Sequence, residues 1–92
     1  MQSESPAVRH TPLIHMILRR NFRQSFKLLY RYGFRYEDLV EEGRYAILRA
    51  ESQFDPSKYS ESAFYGRVVY NWIASRMCTK YIHNKQYRLN AT

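Results

Sequence analysis

Residues 36–56 read YEDLVEEGRYAILRAESQFDP. Small and apolar side chains recur in this stretch at the spacing of a helix that buries one stripe. Gly33 precedes it and can adopt the left-handed conformation that ends a preceding helix. Pro56 ends it, because the residue before a proline is pushed out of the helical region. The predicted stripe consists of Leu39, Gly43, Ala46, Ile47, Ala50 and Phe54. The pattern predicts a helix over residues 36–54.

A further helix is predicted on each side of this one. Thr11 and Pro12 form a typical helix start, and apolar residues continue at helical spacing to about residue 32. Downstream, Ser60 or Ser62 can cap a third helix over residues 62–83. No segment alternates long enough to predict a strand, so the predicted fold class is all-α, a compact three-helix domain. The predicted core contains Leu29, Leu39, Ala46, Ile47, Ala50, Phe54, Ile73 and Met77.

The chain has 92 residues, which allow one domain with a modest core. We expect residues 1–11 to form a flexible N-terminal arm, residues 12–84 the helical domain and residues 85–92 a basic C-terminal tail. The single cysteine, Cys78, cannot form an internal disulfide, which fits a reducing compartment. No apolar stretch approaches the ~20 residues needed to cross a bilayer, and no secretion signal is evident. These features predict a cytoplasmic protein without a membrane partner.

The charges are unevenly distributed along the chain. The net charge is +7, from 15 Lys and Arg against 8 Asp and Glu. Five of the eight acids lie in residues 37–51, whereas residues 62–92 contain five basic residues and no acid. An excess of basic over acidic residues favours a polyanionic partner, because each neutralised phosphate releases counterions. One acidic and one basic surface predict two different partners.

The predicted third helix carries apolar side chains on two sides. The stripe expected to face the core contains Ala63, Gly66, Tyr70, Ile73, Ala74, Met77 and Tyr81. The opposite stripe, expected to be partly exposed, contains Tyr65, Val68, Val69, Trp72 and Arg76. Exposed rings can stack on unpaired bases, and guanidinium groups can contact phosphates. The alternative is that the N-terminal arm or a dimer interface covers the second stripe.

The order of these motifs resembles region 2 of bacterial RNA polymerase sigma factors. That family shows a glycine-led turn, then Asp-Leu-Ile-Gln-Glu-Gly, a Leu-x-Ala and a Phe-Asp-Pro. Here residues 38–43 read Asp-Leu-Val-Glu-Glu-Gly, residues 48–50 read Leu-Arg-Ala, and residues 54–56 read Phe-Asp-Pro. Similarity resumes at residues 63–65, Ala-Phe-Tyr, which match the aromatic promoter-melting segment. The resemblance covers about residues 13–84 and implies the three-helix fold of that region.

The resemblance implies two binding surfaces. The outer side of the second helix would bind the clamp helices in the largest subunit of core RNA polymerase, through Asp38, Leu39, Glu41, Glu42 and Arg44. The third helix and the loop before it would bind promoter DNA, above all the single-stranded nontemplate strand of the −10 element. In that match Tyr65 would stack on a flipped base, while Trp72, Ser75 and Arg76 would contact the upstream edge of the element. The full expected DNA-binding set is Lys58, Phe64, Tyr65, Arg67, Trp72, Ser75, Arg76 and Lys80.

The chain departs from the family pattern at several positions. Val68 and Val69 stand where housekeeping factors carry a tryptophan pair, and Glu41 and Arg44 replace the usual Gln and Asn. Residues 1–92 contain no pattern that predicts a helix-turn-helix for the −35 element. The chain therefore resembles a divergent, phage-encoded or partner-dependent factor, for which a second protein would supply −35 recognition. Late-transcription sigma factors of large phages also share a run like residues 54–59.

Two functions follow from this pattern. The first is a transcription initiation factor that docks on core RNA polymerase and recognises and melts the −10 element. The second is a regulator that occupies the sigma docking site without reading DNA. An enzyme is not predicted, because His10, His15 and His83 are scattered and the acid pairs on the second helix lack a nucleophile or histidine. We likewise predict no metal and no cofactor.

Overall fold

The structure is a computed structural model that describes residues 5–31 and 33–91, with side chains described through Met77 except that of Leu28. In chain order the helices are α1 (Pro6–Arg9), α2 (Thr11–Asn21), α3 (Phe26–Arg31), α4 (Tyr36–Ala50) and α5 (Glu61–Ala91). A 3₁₀ turn at Arg23–Ser25 precedes α3, and another at Glu51–Gln53 follows α4. The described residues contain no strand, which confirms the all-α class. None of the described helices is long and apolar enough to span a bilayer.

The predicted first helix is interrupted. The chain leaves the helical conformation at Phe22, where φ is −125° and ψ is 5°, and then makes the 3₁₀ turn into α3. The side-chain amide of Asn21 donates a hydrogen bond to the Ile17 carbonyl over 3.2 Å, and such a local side-chain contact competes with continuation of the helix. Phe22 itself is buried, with its ring centroid 5.3 Å from that of Tyr70. The prediction of one helix over residues 12–32 is therefore wrong. Tyr32 lies outside the described residues.

The helical structure begins earlier than expected. Helix α1 lies in the segment predicted to be a flexible arm, yet Ala7 is buried and α1 packs against α4. The Arg9 guanidinium pairs with the Glu61 carboxylate at the start of α5. Residues 6–11 are thus part of the packed structure. The limits of the predicted domain stay a prediction.

The core forms where α2, α4 and α5 meet. Of the predicted core residues, Leu29, Leu39, Ala46, Ile47, Ala50 and Ile73 are buried, and Phe54 and Met77 are partly buried. Gly43 lets α2 approach α4 closely, because a Cβ at this position would lie 2.8 Å from Ile14 Cγ2. Gly33 has a φ of 90°, the left-handed conformation predicted for it between α3 and α4.

Helix α5 is longer than predicted at its C-terminal end. Its start is close to the predicted one, and the Ser60 hydroxyl caps it by accepting a hydrogen bond from the Ala63 amide over 3.2 Å. The helix continues to Ala91, through most of the segment that was predicted to be a tail. The side chains of Cys78, Lys80, Tyr81 and His83 lie outside those that the structure describes.

Candidate functional site

Helix α5 buries two residues of the stripe that was expected to be partly exposed. Tyr65 is 2% exposed and Val69 is 0% exposed, whereas Tyr70, which was expected in the core, is 44% exposed. Ile73 is buried as predicted, but Ala63 is exposed. The assignment of the core face of α5 is therefore wrong for Ala63, Tyr65, Val69 and Tyr70.

Aromatic packing explains the burial of Tyr65. Its ring centroid lies 5.3 Å from that of His10, 5.5 Å from that of Phe54 and 5.2 Å from that of Phe64. Burial, followed by the charges of Glu51 and Glu61, raises the pKa of the Tyr65 hydroxyl. Tyr65 cannot stack on a flipped base without leaving this cluster. The expectation that Tyr65 is partly exposed is therefore wrong.

The described surface contains a groove between α4 and α5, which we call the α4–α5 groove. Its volume is about 640 Å³. The residues that line it include Asp38, Glu41, Glu42, Tyr45, Arg49, Trp72 and Arg76. The groove therefore brings together residues expected to bind polymerase and residues expected to bind DNA.

Glu42 connects the two helices inside this groove. The Trp72 Nε1–H donates to Glu42 Oε2 over 2.7 Å, and the Arg76 Nε–H donates to Glu42 Oε1 over 3.2 Å. The Glu42 side chain is 21% exposed, so the ion pair is partly shielded from water. The expected separation into one polymerase surface and one DNA surface is wrong at this point, because Glu42, Trp72 and Arg76 form one cluster.

Tyr45 and Arg49 complete the groove, although neither was among the predicted site residues. The Tyr45 and Trp72 rings meet edge to face, with centroids 5.5 Å apart. Arg49 Cζ lies 5.6 Å from the Trp72 ring and 5.9 Å from the Tyr45 ring, within the range of a cation–π contact. The sequence contained one signal for these two residues. Glu42, Tyr45 and Arg49 are spaced i, i+3 and i+7, which places them on one face of α4.

The other predicted polymerase-binding residues of α4 have different environments. Leu39 is 2% exposed, so its predicted place in the core is confirmed and its expected place on the outer side of the helix is wrong. Glu41 is exposed and accepts a hydrogen bond from Arg44 over 2.5 Å. Asp38 Oδ2 accepts the Arg35 backbone N–H over 2.9 Å, which caps the start of α4. Asp38 and Glu41 are both exposed and line the groove, each with an intramolecular hydrogen-bond partner.

The remaining predicted DNA-binding residues do not converge on one pocket. Lys58, Arg67, Ser75 and Arg76 are exposed, and Phe64 is half-buried. Lys80 lies outside the described side chains. On α5, Ser75 and Arg76 form an exposed edge with Trp72 half-buried beside it, whereas helical spacing places Arg67 on the side of the helix opposite Arg76.

The loop between α4 and α5 is ordered around Asp55. The Asp55 carboxylate accepts hydrogen bonds from the Ser57 hydroxyl over 2.6 Å and from the Ser57 amide over 2.9 Å. These two bonds, the side-chain one first, lower the pKa of Asp55 below its ordinary value. The aspartate thus shapes the turn that leads into α5.

The described side chains offer no group of three or more histidine, cysteine or acidic residues placed to hold a metal ion. No family model, no curated protein and no solved structure matches the chain. The resemblance to sigma region 2 therefore depends on the sequence motifs alone.

Proposed function

We propose that this chain is a transcription initiation factor that docks on core RNA polymerase and engages the −10 promoter element. One observation carries the proposal: the α4–α5 groove places the acids of the sigma-like motif next to the aromatic and basic edge of α5. A protein that couples docking to promoter binding needs such adjacent surfaces. The chain would do so as a binding factor, without catalytic group, metal or cofactor, in the cytoplasm where the polymerase acts.

Docking would involve the exposed acids at the rim of the groove. Asp38 and Glu41 fit a basic helical partner such as the clamp helices of the polymerase, because complementary charges steer association and fix its register. A basic partner would also compete for the Glu42 carboxylate. Release of Glu42 would free the Trp72 indole N–H and the Arg76 guanidinium for DNA.

Promoter contact would involve the exposed edge of α5. Because Tyr65 is buried, insertion of this ring into a base stack is disfavoured. Trp72, Ser75 and Arg76 are better suited to contact the edge of the −10 element, where phosphates and partly unstacked bases are accessible.

A second candidate function is a regulator that occupies the sigma docking site without reading DNA. The specific observation in its favour is that Tyr65 is buried while Trp72 and Arg76 are both engaged by Glu42. In this alternative the α5 residues stabilise the groove and only the acidic rim meets a partner.

Capture of core polymerase by the full chain tests the docking step. Glu41→Lys should weaken capture about tenfold at ~0.15 M salt, where exposed charges are only partly screened. Glu37→Lys is the matched control, because Glu37 is exposed on the same helix but does not line the groove. Equal capture of both variants and the parent would contradict docking through the groove.

The assembled complex then separates the two candidates. An initiation factor should bind forked −10 DNA more tightly than closed duplex, and Arg76→Ala should reduce that affinity. A regulator should displace a resident sigma factor and leave DNA binding unchanged. Polymerase binding without any preference for DNA strand state would therefore select the second candidate.

A further inference from the structure

The positive charge of the chain is concentrated in a segment outside the α4–α5 groove. Residues 5–36 contain seven Lys and Arg and no Asp or Glu. The eight basic residues elsewhere are matched by eight acids, so this segment accounts for the whole net charge of +7. The basic residues of the segment are Arg9, Arg19, Arg20, Arg23, Lys27, Arg31 and Arg35.

Three of these arginines surround two adjoining hollows, which we call the arginine cleft. One hollow, about 660 Å³, is lined by Arg19 and Arg20 with neighbours on α2. The other, about 470 Å³, is lined by Arg19, Arg23, Phe26 and Tyr36. Arg19 is common to both, and no residue of α5 lines either of them. The arginine cleft is therefore distinct from the exposed edge of α5.

The aromatic floor of the cleft is held in place by neighbouring rings. Tyr36 stacks on His15 with ring centroids 5.4 Å apart, and its hydroxyl is 2.5 Å from His15 Nδ1. The Phe26 ring meets Tyr36 edge to face at 5.6 Å. A preordered floor lowers the entropy cost of binding.

The arginines of the cleft have no acidic partner on the described surface. Arg19, Arg20 and Arg23 are exposed, and no described carboxylate pairs with them. By contrast, Arg44 and Arg76 pair with carboxylates of α4. Arg19 and Arg23 line the hollow that contains Phe26 and Tyr36, and Arg20 lines the adjoining one. Without a described acidic partner, these guanidinium groups can donate hydrogen bonds to an anion of another molecule.

We propose that the arginine cleft binds the phosphodiester backbone of nucleic acid. The planar guanidinium group donates two parallel hydrogen bonds to a phosphate, and it stacks on rings where a base is exposed. An anionic membrane is a poorer fit, because Met16 is the only well-exposed large apolar side chain among the described residues that line the cleft. The contact does not require polymerase, so it is independent of the proposed function.

The test measures binding of the full chain, without polymerase, to a fluorescent DNA duplex of arbitrary sequence. Fluorescence anisotropy gives the affinity at salt concentrations between about 50 and 200 mM. Arg19→Gln with Arg23→Gln should weaken binding at least tenfold. It should also reduce the slope of log affinity against log salt by about 1.8, because two phosphate contacts are lost. Arg19→Lys with Arg23→Lys should restore only part of the affinity, because lysine keeps the charge but not the paired hydrogen bonds.

Arg31→Gln with Arg35→Gln is the charge-matched control, because it removes the same charge from exposed residues that do not line the cleft. Less than a threefold loss is expected for this control. Equal losses for both glutamine pairs would overturn the proposal, since net charge alone would then explain binding. Unaltered thermal unfolding of each variant excludes loss of fold as the cause.

Two further measurements distinguish nucleic acid from other polyanions as the ligand of the cleft. Vesicles of phosphatidylcholine with about one-third phosphatidylserine should bind the chain more weakly than DNA does, and polyglutamate should compete poorly at equal charge. Stronger binding to vesicles, or equal competition by polyglutamate, would overturn nucleic acid as the ligand. The polymerase complex could show no preference for −10 DNA while the arginine-cleft variants still lose affinity for duplex. That result would count against the proposed function and not against nucleic-acid binding by the cleft.

Discussion

Arginines play opposite parts in two regions of this small protein. At helices α4 and α5, Arg44 and Arg76 each pair with a carboxylate, and Arg49 lies over two aromatic rings. In the arginine cleft, Arg19 and Arg23 are exposed and pair with no described carboxylate. Arg49 and Arg76 join α4 to α5, whereas the pair that Arg44 forms with Glu41 lies within α4. The arginines of the cleft leave their hydrogen-bonding capacity for another molecule.

This difference shows that residue type and exposure do not identify a binding surface by themselves. Arg76 is as clearly a surface residue as Arg19, yet an internal acceptor already satisfies its Nε–H. Free binding capacity depends on whether a neighbouring helix supplies a carboxylate. The comparison therefore predicts different responses to mutation in the two regions.

The largest loss of stability is expected from a substitution in the core that supports both regions. Ile47 is fully buried in α4. Ile47→Ala should lower the free energy of unfolding by roughly 2–5 kcal/mol, through lost transfer energy and a residual cavity. Leu48→Ala is the control, because Leu48 is 56% exposed on the same helix. Chemical denaturation should show a much smaller loss for Leu48→Ala, and similar losses for both would contradict the assigned core face.

The next effect concerns the contact that sets the distance between α2 and α4. Gly43→Ala would place a Cβ 2.8 Å from Cγ2 of Ile14, which is fully buried. We expect a loss of about 1–3 kcal/mol from overpacking. Gly66→Ala is the matched control, because its Cβ would lie 3.8 Å from the nearest atom, and it should be neutral or stabilise the helix by up to about 1 kcal/mol. Thermal melts that rank the two alanine variants in the reverse order would refute this close approach.

A smaller effect tests whether the α4–α5 groove depends on its own ion pair. Glu42→Ala should cost about 1–2 kcal/mol, because the partly buried Trp72 N–H loses its acceptor and Arg76 loses its partner. Glu41→Ala should cost less than about 1 kcal/mol, because the Glu41 side chain is 70% exposed. A double-mutant cycle of Glu42→Ala with Arg76→Ala measures the coupling directly. No coupling would mean that the pair does not join the helices.

The smallest effect concerns a carboxylate that is stabilised by a hydroxyl rather than by an arginine. Ser57→Ala should raise the pKa of Asp55 toward its ordinary value, because the stronger of its two hydrogen bonds is removed. Because the folded-state pKa of Asp55 lies below the unfolded one, Asp55 contributes stability above its ordinary pKa of 3.8 and loses that contribution as pH falls through the folded pKa. NMR titration of the Asp55 carboxyl measures the shift, with Ser62→Ala as the control. An unchanged pKa in Ser57→Ala would leave the shift unexplained.

The outcome for α4 and α5 shows where sequence patterns suffice. Helix α4 has one apolar stripe, so its core residues Ala46, Ile47 and Ala50 were predicted correctly. Helix α5 has two stripes, and local periodicity cannot decide which one is buried. That choice depends on His10 and Phe54, which cover Tyr65 from distant parts of the chain.

The same limit applies to the candidate sites. The sequence predicted Glu42, Trp72 and Arg76 as binding residues, but not their mutual contacts, because Glu42 lies on a different helix from Trp72 and Arg76. The arginine cleft includes Tyr36, which lies on a different helix from Arg19, and local periodicity does not indicate that juxtaposition. The resemblance to sigma region 2 and the functions derived from it stay predictions.

Trp72 has a spectroscopic consequence. It is the single tryptophan of the chain, and its indole lies between the Glu42 carboxylate and the Arg49 guanidinium. Indole emission responds to nearby charge and to water, so fluorescence of the unlabelled protein reports on the α4–α5 groove. A partner that enters the groove should shift the emission maximum, whereas nucleic acid held only in the arginine cleft should leave it unchanged. The protein therefore carries an intrinsic optical probe that distinguishes its two surfaces in a single titration.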